Sequence, residues 1–104
     1  METVQYNTDE IVSFKLVNGD EIVARVLYDE REQWGITQPL TVIPAQSGGI
    51  MMIPSMMSVD ANAEFRLPKR QVMLDALSAV PVADHYREIT TGIKAVRKPG
   101  IVLG

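Results

Sequence analysis

Apolar and polar residues alternate with a two-residue period through residues 11–28, and the alternation breaks once, at Asn18-Gly19-Asp20. A two-residue period belongs to a strand with one buried face. Asn-Gly between two such runs marks a hairpin, because both residues tolerate a positive φ. With Asn18, Gly19 and Asp20 as the loop, Val17 faces Glu21, and Leu16–Ile22, Phe14–Ala24 and Val12–Val26 pair on one face. All three pairs are apolar, so that face is expected to be buried. A loop of Asn18-Gly19 alone would set Leu16 against Glu21 and Lys15 against Ile22. A one-residue slip turns every side chain to the other face, which favours the longer loop.

The hairpin strands are expected at Ile11–Val17 and Glu21–Tyr28, after a loose lead-in over residues 1–9. A polar turn over 29–33 leads to a third strand from Trp34 to Ile43, ended by Pro44. Pro39 has no N–H to give to a ladder, so this strand is expected to kink or change partner there. Ser47-Gly48-Gly49 reads as a turn, and Ile50–Val59 as a buried or interface strand interrupted at Pro54. A turn over 60–63, a strand at Glu64–Leu67, a basic break at Pro68-Lys69-Arg70 and a strand at Gln71–Leu77 follow. Val82, Tyr86 and Ile89 then recur at helical spacing behind Pro81, predicting a short helix over 82–91 that stops at Gly92. The remainder, with Lys94, Arg97 and Lys98, reads as an arm or a tail. Strands in succession with short turns predict a mainly β fold, an antiparallel barrel or roll.

The chain has 104 residues, which predicts one domain: a barrel over about 11–78, then a helix and arm over about 81–104. That size is near the lower end for a self-sufficient core, where association between copies adds stability. The net charge of −3 argues against a broad basic face of the kind that grips nucleic acid. The absence of Cys excludes disulfides and thiolate chemistry, and a single His, His85, cannot build a His-rich metal site. No metal or cofactor is therefore expected. His85 has Asp84 and Glu88 beside it but no nucleophile, and reads as a helix-surface residue. Ser47-Gly48-Gly49 lacks the Lys and helix of a phosphate loop, and the acidic run over 29–32 reads as a solvated turn. The expectation is a protein that is not an enzyme. The first ten residues are acidic with no apolar core, and no run approaches the ~18 apolar residues of a membrane span, so a cytoplasmic protein is expected.

Met51, Met52, Met56 and Met57 are the compositional oddity. Methionine fills irregular gaps and is over-used at adaptable interfaces. Two readings stand: core filling, or a subunit contact built on Met51, Met52, Ile53, Met56 and Met57.

Leu16-x-x-Gly19-x-x-Ile22-x-Ala24-x-Val26 resembles the first motif of the Sm-like proteins, with Ala24 where that family usually has a second Gly. FRLPKRQV at 65–72 followed by ADHYREITTGI at 83–93 is similar to the divergent Sm-like proteins of marine tailed phages (cyanophages), which would put the protein in the host cell cytoplasm. The resemblance implies a small, strongly bent antiparallel barrel of SH3 type with a short C-terminal helix. It also implies a cyclic homo-oligomer of about five to seven subunits, in which the fourth strand of one copy pairs with the fifth of the next. Here those strands are the Met-rich stretch and Gln71–Leu77, adding Val72 and Leu74 to the expected interface. It further implies a ring that binds or chaperones single-stranded RNA at two loops. The family's usual Asn and Arg-Gly are missing from both, which leaves Trp34 to stack a base and Lys69 and Arg70 to meet phosphates. Against this stand a Trp34 packed in the barrel, solvated Lys69 and Arg70, and a structural or assembly module that binds no nucleic acid.

Overall fold

In the computed structural model, residues 5–100 are described, without side-chain detail beyond Thr91. The chain forms β1 (Ile11–Leu16), β2 (Glu21–Asp29), β3 (Gln33–Pro44), β4 (Ile50–Pro54), β5 (Glu64–Pro68), a 3₁₀ turn at Lys69–Gln71, β6 (Val72–Leu77) and α1 (Val80–Gly100). All pairings are antiparallel, in the order β4-β3-β2-β1-β6. β5 joins the other half of β3, so β4 and β5 lie along one partner: Leu40–Pro44 takes β4 and Gln33–Thr37 takes β5. The sheet is not closed: β4 and β6 end this order, and β5 likewise pairs on one side only.

The hairpin buries the expected face, but its register is displaced. Phe14 faces Ile22 and Val12 faces Ala24, where Leu16 and Phe14 were expected. Leu16 and Val17 are drawn instead to the other side of β1: Leu16 pairs with Val72 after an irregularity, and the Val17 N–H donates to the Gln71 carbonyl (2.9 Å). The connection therefore starts at Leu16, whose N–H donates to Asp20 O (2.8 Å), with Gly19 at φ +99°. The displacement is an even number of residues, so the buried face is preserved.

β3 serves two cores. Val23 faces Leu40 and Arg25 faces Thr37, so β3 spends one residue more than β2 between these pairs. The extra residue is accommodated at Gln38, whose φ of +51° lies in the left-handed region. Trp34 and Ile36 consequently join the cluster of Val12, Phe14, Ile22 and Val26, whereas Leu40 and Val42 turn to the opposite face. There they meet Ile11, Val23 and Met52 and the helix residues Ala83 and Tyr86. The Tyr86 hydroxyl donates to the carbonyls of Thr37 (3.2 Å) and Gln38 (2.8 Å), which satisfies the irregular backbone. Burial pushes the pKa of this tyrosine up to about 12.

The helix expected over 82–91 is present but longer: it begins at Val80, ahead of Pro81, and does not stop at Gly92 but runs on to Gly100. The anticipated arm over 94–104 falls partly within this helix and, over 101–104, outside the described residues. Among the described residues no helix is long and apolar enough to cross a membrane.

A second irregularity, between Val26 and Tyr28, lays the Tyr28 ring over Gly35. A Cβ at Gly35 would meet that ring at 2.0–2.5 Å. Gly35→Ala is expected to lower stability by about 1–3 kcal/mol in urea unfolding. The same change in a Tyr28→Ala background should cost markedly less; equal costs would mean that the ring is not the obstacle.

Candidate functional site

The two loops expected to hold RNA do come together, at one end of the sheet. Gln33 at the start of β3 pairs with Pro68 at the end of β5, and the Lys69 N–H donates to the Glu32 carbonyl (2.9 Å). The residues expected to contact RNA are occupied differently from that expectation. Trp34 is 2% exposed. Its ring packs against Phe14 (centroids 4.9 Å apart) and Tyr6 (6.2 Å), with the Lys69 ammonium 4.8 Å from its centroid. No ring face is open to a base. Its Nε1 has no hydrogen-bond partner among the described residues.

Lys69 is half-buried and already paired. Its Nζ donates to Asp29 Oδ1 at 2.7 Å, and the Asp29 side chain is 1% exposed. Asp29 Oδ2 accepts the N–H groups of Gln5 (2.9 Å) and Tyr6 (3.1 Å). One carboxylate thus joins the N-terminal segment, the end of β2 and the 3₁₀ turn, a role the solvated-turn reading of 29–32 missed. Burial pushes its carboxyl up. The Lys69 hydrogen bond, the two backbone N–H groups and the Lys69 charge outweigh burial and hold it below the usual carboxylate range. Tyr6, placed in the loose lead-in, is instead a core residue whose hydroxyl donates to Asp75 Oδ1 (2.5 Å). Of the expected RNA contacts only Arg70 is exposed; Arg66, four residues before it, and Arg31, in the other of the two loops, are exposed as well.

The expected interface set divides. Met52 is buried in the helix-side core, and Val72 packs partly buried against the other cluster. Met51 (45% exposed), Ile53, Met56, Met57 (79%) and Leu74 (67%) stand in solvent. Ile50 and Val59 join the Met-rich side, and Met73, Leu77 and Val80 join the β6 side. Both outer strands of the sheet therefore carry exposed apolar side chains.

Between β4 and β5 the chain leaves the sheet over 55–63 and returns to the same partner strand. Ser55 N–H donates to Pro39 O (2.9 Å) and Thr37 Oγ1 donates to Ala63 O (2.8 Å), which fastens both ends of the excursion to the irregular part of β3. A cavity of about 400 Å³ results, walled by Pro39, Pro54, Met56, Met57 and Phe65. Among the described residues, Asp60 is the only charged one in its lining. His85 lies apart from it on the exposed side of α1, with Nδ1 3.5 Å from Glu88.

No family model matches the chain, and no curated protein matches it.

Asp29 has a folded-state pKa below its unfolded value, so its contribution to stability is present above about pH 4 and lost as the pH falls through that range. Asp29→Asn should cost about 2–3 kcal/mol at pH 7. The gap between the two proteins should narrow below pH 4. A gap that is constant with pH would show that the carboxylate charge is not what holds the junction.

Proposed function

We propose that this protein is a non-enzymatic assembly module of Sm-like type, which joins copies of itself through the two outer edges of its sheet into a cyclic homo-oligomer. The observation that carries the reading is that both edges expose large apolar side chains: Met51 and Ile53 on β4, Met73 and Leu74 on β6. An unpaired strand edge is a template for another strand, and here the side chains flanking the free backbone groups also favour leaving water. Two different apolar patches on one chain make a head-to-tail contact, and head-to-tail contacts that close give rings. The sheet topology supports a curled, barrel-like form. Phe65 and Leu67 of β5, which pairs with β3, and Val72 of β6, which pairs with β1, pack on the same cluster although β3 and β1 are separated by β2 in the strand order.

RNA binding is the second reading. The meeting of segments 30–32 and 68–70 favours it, together with the exposed Arg31, Arg66 and Arg70. Weighing against it are the buried Trp34, the neutralised Lys69 and the overall charge of −3. These observations support the assembly module as the first reading and leave RNA binding as the second.

Size-exclusion chromatography with light scattering, read at 260 and 280 nm, tests both. The expected result is a mass of several subunits with a protein-like spectrum. Leu74→Lys should reduce that mass to one subunit without loss of the circular-dichroism signal. A monomeric wild-type chain would sink the module, and a 260 nm excess that disappears in high salt would move RNA to first place.

A further inference from the structure

The cavity under the 55–63 excursion is built by one chain alone, so its chemistry does not depend on how many copies assemble. It is lined by the irregular stretch of β3, by the excursion and the strands flanking it, and by Thr90 of α1. Its volume of about 400 Å³ lies among those of small-molecule sites, about 300–1,000 Å³. The apolar side chains around it remain wetted: Met57 is 79% exposed and Met56 49%. An occupant that covers them removes apolar surface from water.

The frame is fixed before any occupant arrives. Ser55 and Ala63 are bonded to β3, and Pro39 and Pro54 stiffen the backbone on either side. Such preorganisation lowers the cost of binding. The two methionine side chains supply the adaptable part. Their thioethers suit the edge of an aromatic ring, and Phe65 adds a ring of the protein's own.

The polar groups are lopsided. Gln38, Asn62 and Thr90 are uncharged, and the Thr90 hydroxyl already donates within its helix, to Tyr86 O (2.9 Å). Asp60 alone brings charge. Its position is set twice: its Oδ1 accepts the Asn62 N–H (3.1 Å) and its carbonyl accepts the Ala63 N–H (3.0 Å). Asp60 is exposed and forms no ion pair among the described residues, so it is a hydrated carboxylate beside an apolar hollow. A fatty acid or a phosphate would meet this charge with its own. A ligand with an apolar body and one cationic end matches both parts, and its charge stays in water at the rim.

We propose that this cavity is a binding site for a small aromatic amine, its ring held among Met56, Met57 and Phe65 and its ammonium group beside Asp60. The contact with Asp60 is solvated and adds little affinity. Its effect is selection: among ligands with the same ring, it favours the cation over the neutral and anionic forms.

Three probes that share a ring test this on the full chain: naphthylmethylamine, naphthylmethanol and naphthylacetate. The readout is the NMR signals of the methionine methyl groups, titrated with each probe. The amine should move the Met56 and Met57 signals and leave Met73, on β6, in place. Affinity should fall from amine to alcohol to acid. Asp60→Asn keeps the oxygen that accepts the Asn62 N–H; it should weaken the amine about threefold to fivefold and leave the alcohol unchanged. Asp60→Lys should reverse the order of amine and acid, with thermal melting as the check on folding. No shift at Met56 and Met57 with the amine, or equal shifts at Met73, would overturn the site. An amine that binds no better than the acid, or an Asp60→Asn variant that weakens alcohol and amine alike, would overturn the selection of a cation. None of these outcomes depends on the mass of the assembly, so the proposal and the assembly reading fail separately.

Discussion

One extra residue in β3 sets the architecture. A strand that kept its pleat from Gln33 to Pro44 would show Trp34, Ile36, Leu40 and Val42 to the same side and could close only one core. The left-handed turn of backbone at Gln38 reverses that parity midway. Trp34 and Ile36 go to one cluster, Leu40 and Val42 to the other, and β3 becomes the element both cores share. The conformation is one that a residue with a side chain adopts at a cost of about 1–3 kcal/mol, and it persists because its surroundings hold it. Tyr86 caps its carbonyls from the helix side, and Ser55 and Ala63 tie the adjacent loop to it. The helix, the 55–63 excursion and the cavity all depend on that one irregularity.

The second organising contact, between Asp29 and Lys69, bears on function by subtraction. The Lys69 ammonium is bonded to a carboxylate that is almost wholly shielded from water and is stacked over an indole, so its charge is matched within the fold. The loop junction where the Sm-like resemblance implies RNA is thus used to anchor the N-terminal segment and the 3₁₀ turn. Exposed apolar side chains stand instead on β4 and β6 and on the 55–63 excursion.

How much of this was legible in the sequence depends on range. The alternation in residues 11–28 identified the hairpin and its buried face, since that signal is local. The register was not legible, because it is set by Gln71 and Val72 pulling on Leu16 and Val17 from far along the chain. Pro39 marked a disturbance in β3, but the parity reversal was hidden, since the four apolar residues involved all sit at even positions. The contacts of Tyr6 and Asp29 span 69 and 40 residues and leave no periodic trace. The Met-rich stretch was legible as unusual, and its division between core and surface follows from the pleat: Met52 points to the helix side, Met51 and Ile53 do not.

The excursion over 55–63 departs from β3 opposite Leu40 and rejoins it opposite Thr37. Its two feet are therefore fixed by the sheet, while the span between them adds only a slowly growing entropic cost as it lengthens. Chamber size is in this way decoupled from fold. Descendants of this chain can gain or lose residues there, enlarging, reshaping or sealing the hollow, while every strand keeps its neighbour.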